Sequence, residues 1–259
     1  MAITVDGEPA MSSRAHEGPA LSMSHIQVWQ LRLDDRAVIQ AISEISAARG
    51  GLLSADELIR AQRFHFEKDR IRFTLCRSAL RLLLARFLDL APEKIRFSYT
   101  AKGKPEVSED ENPRSLRFNL SHSDNRALLA VGIGSAIGVD IEQIRTNVNT
   151  ADLAERFFSA REREGLCSLP KDVRIAAFYA CWTRKEAFLK ASGEGLGFPL
   201  SDFSVSVDPG KEARLEEIKG DRKAVRRWSM IDLHAAEGFR AAVAVEHPDA
   251  TVATFDWTR

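Results

Sequence analysis

Cysteine is scarce in this chain: Cys76, Cys167 and Cys181 are the only three in 259 residues. The number is odd and no CxxC pair occurs. Both facts argue against a disulfide framework or a zinc site, and they predict a reducing, cytoplasmic setting. Long apolar runs are also missing. No stretch reaches the roughly 18 apolar residues of a membrane-spanning helix, so no membrane partner is expected. Net charge is absent, because 37 Lys and Arg balance 37 Asp and Glu. The chain as a whole therefore has no general affinity for polyanions. Its basic residues are not interleaved with aromatics in a stacking pattern, and no nucleic-acid partner is expected. Three catalytic signatures are lacking as well. There is no GxxxxGK[ST] phosphate loop and no GxSxG nucleophile elbow. "GEGLG" at 193–197 follows a helical pattern rather than a strand, which excludes a dinucleotide fingerprint.

What remains is an ordinary globular composition, 44% hydrophobic and 29% charged. Residues 1–23 are rich in Gly, Pro, Ser and Ala, have no apolar signal core, and read as a mobile leader. "IQVWQLRL" alternates as a strand should. A helix is expected near 35–48, ended by Gly50 and Gly51. Another starts at Ser54, where Glu57 stands at the capping-box spacing. "DRIRFTLCRSALRLLLARFL" is a long helix, followed by the strand "IRFSYT", the turn "AKGKP" and a hairpin "LRFNLSHSDNRALLAVG". "AIGVDIEQI" is the next strand. Residues 150–170 read as helical, and a helix of about twenty residues ends at Gly193. "FSVSVD", "RRWSMIDL" and "FRAAVAVE" are expected strands. The two halves share an order: long helix, an F-S strand entering a Gly-and-Lys turn, then a hairpin. Duplicated α+β halves fit that order.

Within "GVDIEQI" (138–144), Asp140 and Glu142 sit at alternate positions and so point to one face, with Gly138 beside them; Val139 and Ile141 point to the other. Taken alone, the pair is open between a solvated face and a cation site. Glu186 lies on the apolar stripe of the long helix, four residues after Trp182. A carboxylate there is costly unless paired. Its partner is either Lys190, one turn on, or a cation shared with the other two acids, a hard-oxygen site of the kind Mg²⁺ prefers. A phosphate ligand has a place as well. Between Arg60 and Lys104 the only acids are Glu67, Asp69, Asp89 and Glu93, among many more cations. Lys102 and Lys104 flank Gly103 on a tight turn where backbone N–H groups can face a ligand. "NLSHS" (119–123) adds His122 between two hydroxyls.

Together these motifs resemble the Sfp-type 4′-phosphopantetheinyl transferases. The marks are "GVDIE" (138–142), "WTRKEAFLK" (182–190), "RFFSARE" (156–162), "GKP" (103–105) and "NLSHS" (119–123), with "GEGL" (193–196) and an F-S-V strand at 203–205 following in order. The resemblance spans nearly all of the chain beyond about residue 24. It implies an α+β fold made of a pseudo-twofold pair of similar α+β halves in one chain, residues 24–136 and 137–259, with the active site between them. It implies transfer of the phosphopantetheine arm of coenzyme A to a serine of an acyl or peptidyl carrier protein in polyketide or nonribosomal peptide biosynthesis, with adenosine 3′,5′-bisphosphate as the other product.

The resemblance also implies site roles. Asp140, Glu142 and Glu186 would hold Mg²⁺, with Mn²⁺ as a substitute. Glu186 would act as base toward the serine, and Lys190 would neutralise phosphate charge, with Lys185 assisting. Arg60, Lys104, Ser121 and His122 would hold the phosphates of coenzyme A, and Lys102, Gly103, Lys104 and Pro105 would border its adenine. The carrier would dock on 144–158, where Phe157 and Phe158 are either apolar contacts or core. One departure is Glu57, which stands where the family often has a cation. A monomer is expected. Two rivals have their own signatures. A coenzyme A-binding module without transferase activity could lose a metal acid, yet all three are present. A hydrolase using Ser121 or Ser123 with His122 would need neighbouring strand residues to share a face.

Overall fold

β1 (His25–Arg32) is the first element among the described residues, and its residues Ile26, Val28 and Leu31 are buried. The computed structural model describes residues 20–219, 221 and 223–257. The leader expected over 1–23 thus lies outside the described residues as far as residue 19. In the remainder, Leu21 packs on the first core and the Met23 carbonyl accepts from Ser135 Oγ at 2.9 Å. Asp35 caps α1 (Arg36–Ala48) by accepting from the amides of Ala37 and Val38. α2 (Ala55–Gln62) begins at Ser54, whose amide donates to Glu57 at 3.0 Å. α3 (Glu67–Leu88) is the long helix of this half. β2 (Phe97–Tyr99) and β3 (Pro105–Val107) pair with each other, and β4 (Leu116–Ser123) with β5 (Arg126–Ile133) forms the hairpin.

The second half repeats that order. β6 (Ile137–Gln143) is followed by α4 (Thr150–Phe157), α5 (Ala160–Ser168) and the long helix α6 (Arg174–Ser192). The pair β7 (Phe203–Val205) and β8 (Leu215–Ile218) comes next, then the hairpin of β9 (Ser229–Asp232) and β10 (Phe239–Val245). The sheet orders correspond, β1-β5-β4 in the first half and β6-β10-β9 in the second, so the pseudo-twofold α+β architecture is explicit. The last strand, β11 (Thr251–Asp256), departs from the division at 136/137. It crosses back to pair in parallel with β1. The expected single helical stretch over 150–170 is two helices. Ser159 interrupts it with a second capping box, in which Glu162 accepts from the Ser159 amide at 2.8 Å.

The two capping boxes do the same work in each half. Glu57 is 1% exposed and turns into the core, where Arg81 Nε donates to it at 2.7 Å and Arg77 also binds it. Arg81 continues to the carbonyls of Pro92 and Ile95, and its guanidinium lies 5.0 Å from the Phe97 ring centre. In the second half Glu162 is 0% exposed, Lys185 Nζ donates to it at 2.7 Å and to the Phe203 carbonyl at 2.7 Å, and that ammonium lies 4.1 Å from the Phe203 ring centre. Phe97 and Phe203 are the phenylalanines of the two F-S strands. A buried acid thus ties a short helix, the long helix and the strand after it into one paired node, its charge matched by a buried cation as burial requires. Between the halves, Ile26 and Val28 of β1 and Leu128 and Ala130 of β5 meet Val139 and Ile141 of β6 and Val243 and Val245 of β10 in a shared apolar core.

Candidate active site

The alternation of β6 sends Val139 and Ile141 into that shared core and leaves Gly138, Asp140 and Glu142 facing the other way. α6 lies directly over Gly138. A Cβ there would come within 2.1 Å of the Ala187 carbonyl oxygen and 2.3 Å of the Ala191 nitrogen. Only glycine permits this approach, and it brings the acids of β6 against the helix that carries Glu186 and Lys190. Along the last three turns of α6 nearly every residue is buried, but Trp182, Glu186 and Lys190, each four residues apart, are only half-buried. Glu186 and Lys190 of that stripe line a cleft of about 250 Å³, together with Lys102, Gly103, Lys104 and Pro105 of the first half and with Asn119 and Leu120. Gly103 has φ +80, the left-handed turn conformation that glycine adopts freely.

Asp140 is 3% exposed. Its Oδ1 accepts from Lys190 Nζ at 2.6 Å and from Ser121 Oγ at 2.9 Å. Its Oδ2 is buried and has no hydrogen-bond partner among the described residues. Burial raises the pKa of this carboxyl, against the pull of Lys190 and Ser121. Glu142 is raised by burial and then by the Asp140 charge, while Ser123 Oγ donates to its Oε2 at 2.7 Å. Glu186 is raised by burial and then by Asp140, with Glu142 adding to it and Lys190 opposing. The three acids therefore form one electrostatic cluster. The Glu186–Lys190 pair considered from the sequence does not form; Lys190 bonds Asp140 instead.

Among the described residues no three His, Cys, Asp or Glu side chains are already closed around one point. The donor set nonetheless fits a divalent cation. It has three carboxylates, hard oxygen ligands of the type Mg²⁺ takes, and one of their buried oxygens, Asp140 Oδ2, lacks any partner. Asp140, Glu142 and Glu186 are the residues that could hold it.

The other expected site residues divide. Lys104 joins the cleft wall, but its ammonium donates to the carbonyls of Lys190 at 2.6 Å and Ile137 at 3.1 Å, capping the end of α6 from the opposite half. Burial pulls its pKa down to about 8. His122 stands on the alternate face of β4, with its pKa lowered by desolvation and then by the Lys190 and Arg72 charges. Ser121 and Ser123 give their protons to Asp140 and Glu142, so neither serves His122 as a hydrolase nucleophile would.

Arg60 is exposed on α2, 5.4 Å from the Phe73 ring centre, in a separate groove of about 700 Å³ shared with Arg63 and Tyr99. Lys185 requires a correction. It is 0% exposed and sealed by Glu162 and the Phe203 carbonyl, so it faces the core of its half and does not reach the cleft. Phe158 is core as well, stacked on Phe178 at 5.2 Å, while Phe157 meets the edge of Trp182 at 5.7 Å. Glu57, which looked like a lost phosphate cation, is the buried acid of the first node. The serines' role toward the acids was not foreseen; the period-two spacing of Asn119, Ser121 and Ser123 was its signal.

Comparison with known proteins shows the family. A profile described as 4'-phosphopantetheinyl transferase superfamily matches residues 136–244, and one described as 4'-phosphopantetheinyl transferase, N-terminal matches residues 43–133. The 4'-phosphopantetheinyl transferase HetI of Nostoc sp. is 36% identical over 225 residues, 87% of this chain and 89% of that protein. Sfp of Bacillus subtilis is 30% identical over 197 residues, 76% and 84% of the two chains. The L-aminoadipate-semialdehyde dehydrogenase-phosphopantetheinyl transferase of Mus musculus is 30% identical over 212 residues, 77% of this chain and 69% of that one. The chain belongs to the 4'-phosphopantetheinyl transferase superfamily.

Proposed function

We propose that this protein is a 4′-phosphopantetheinyl transferase. It moves the 4′-phosphopantetheine arm of coenzyme A onto a serine hydroxyl of an apo acyl or peptidyl carrier protein and releases adenosine 3′,5′-bisphosphate. The observation that carries the reading is the half-buried stripe of Glu186 and Lys190 set against Asp140, whose second oxygen is buried without a partner among the described residues. Family membership supports it.

In this reading Asp140, Glu142 and Glu186 hold Mg²⁺, which Mn²⁺ can replace. When bound, the ion would offset negative charge on the pyrophosphate as the bond to the leaving phosphate breaks. Lys190, which bonds Asp140 here, would turn its ammonium to a phosphate oxygen of the bound coenzyme. Glu186 accepts the proton of the carrier serine, a nucleophile that needs a base within hydrogen-bond reach at neutral pH. His122 and Arg60 bind phosphate oxygens, and Ser121 keeps Asp140 in place. The turn from Lys102 to Pro105 borders the adenine, and Lys104 holds that turn to α6. The carrier docks on 144–158, whose exposed side chains lead to a hollow of about 190 Å³ beside Glu142 and Trp182. The same proposal includes carriers of polyketide or nonribosomal peptide assembly, a monomeric state and a cytoplasmic location. Among the described residues no helix is long and apolar enough to cross a membrane.

The test is mass spectrometry of an apo carrier protein incubated with this protein, Mg²⁺ and coenzyme A. The expected result is a gain of one phosphopantetheine on the carrier serine, abolished by a chelator. An unchanged carrier mass, or a gain that ignores the chelator, overturns the reading.

A further inference from the structure

β4 and β6 lie in different sheets and share no strand-to-strand backbone ladder. Alternate side chains of β4 bridge them instead. Asn119 Oδ1 accepts from the Val139 amide at 2.9 Å, Ser121 Oγ from the Ile141 amide at 3.4 Å, and Ser123 Oγ from the Gln143 amide at 3.1 Å. The spacing of twenty residues is constant, so the strands run parallel and the rungs fall at period two. Outward amides of β6, which would otherwise be buried and unmade, are satisfied by the first half of the chain.

Two of the three rungs do something more. Ser121 Oγ donates to Asp140 Oδ1 at 2.9 Å and Ser123 Oγ to Glu142 Oε2 at 2.7 Å. A hydroxyl has one proton and two acceptor lone pairs. The β6 amides occupy the acceptor side, joined at Ser121 by Lys190 Nζ at 2.9 Å. Each proton is thereby committed to a carboxylate. One oxygen of each acid is fixed, and the other is left for a ligand; for Asp140 that other oxygen is the buried, unpartnered Oδ2.

We infer that Ser123, together with Ser121, is a positioning residue for the divalent-ion site: the first half of the chain aims the acids that the second half carries. The inference rests on the metal reading proposed above and adds to it a dependence on the docking of β4 against β6.

The experiment uses the full chain as wild type, Ser123→Ala and Ser123→Thr. Mn²⁺ binding is followed by electron paramagnetic resonance with coenzyme A present and no carrier protein. Removing the hydrogen-bond partner of a metal-ligating group weakens metal binding by about ten- to a hundred-fold, and that loss is expected for Ser123→Ala. Ser123→Thr, which keeps the hydroxyl, restores the affinity. Turnover of Ser123→Ala recovers as Mn²⁺ is raised. Wild-type Mn²⁺ affinity in Ser123→Ala overturns the inference. So does a Ser123→Thr variant that fails to restore it, and so does turnover that stays low at saturating Mn²⁺. A wild-type protein that binds no Mn²⁺ defeats the metal reading itself.

Discussion

Lys185 and Lys190 are five residues apart on one helix and meet opposite surroundings. Lys190 shares the stripe of Trp182 and Glu186, while Lys185 is turned about 100° from Glu186 and is locked to Glu162. Both stand in the motif "WTRKEAFLK", and the motif alone did not separate them, because the acid that claims Lys185 lies 23 residues away. The consequence is testable. Glu162→Ala leaves a buried ammonium without its counter-charge and should cost about 3–5 kcal/mol, read as a lowered urea midpoint. A cost within the roughly 1 kcal/mol of an exposed pair would contradict the node.

The three clustered acids carry a pH signature of their own. Burial, and for Glu142 and Glu186 also the neighbouring Asp140, raise their carboxyl pKa values above the ordinary range. Without metal, the folded protein then holds protons that the unfolded chain has released. The stability these groups contribute is present below the ordinary carboxylate pKa of about 4 and is lost as pH rises through the raised values. In chelator, wild-type melting temperature should therefore fall relative to Asp140→Asn as pH climbs toward neutral. Parallel curves for the two proteins would contradict the assignment.

At the scale of elements, the contact of β6 with α6 sets the cleft. The close approach at Gly138 puts the two acid-bearing elements together, and any side chain there pushes on helix backbone rather than on a yielding side chain. Gly138→Ala should cost at or above the upper end, roughly 3 kcal/mol, of the overpacking range. It should also lower turnover in whatever fraction still folds, since it shifts Glu186 and Lys190 away from Asp140. A melting temperature and kcat like those of the wild type would contradict the close contact.

Elements with strong local signals were legible in the sequence: α2 from Ser54 and Glu57, α6 from its length and Gly193, and the β4–β5 hairpin from its polar turn. The break between α4 and α5 was written in "SARE" as a second capping box, but the continuing helical composition on both sides hid it. β11 was not expected, because its partner β1 is more than 200 residues away and strand pairing of that kind leaves no local trace.

For the whole molecule, the duplicated order of elements was visible in the sequence, and the structure extends it to matched buried nodes, Glu57 with Arg77 and Arg81 in one half and Glu162 with Lys185 in the other. The halves then diverge in function. The second supplies the acids, and the first supplies the serines that bond Asp140 and Glu142 and the Gly103 turn that lines the cleft with Glu186. Asp140, Glu142 and Glu186 were found as separate fragments of sequence; what the sequence could not contain was their shared field and the partnerless oxygen among them.

The measurement that decides most directly whether this cluster is a catalytic metal site is kcat beside melting temperature for Asp140→Ala and Glu186→Gln, each with and without Mg²⁺. Buried like charges repel, so neither substitution should unfold the metal-free protein, and both melting temperatures should stay level or rise slightly. With Mg²⁺ and coenzyme A, Asp140→Ala should lose most of its turnover, and Glu186→Gln should lose turnover more than coenzyme A binding. Near-normal kcat with a lowered melting temperature in both variants would make the acids a structural cluster and contradict the account.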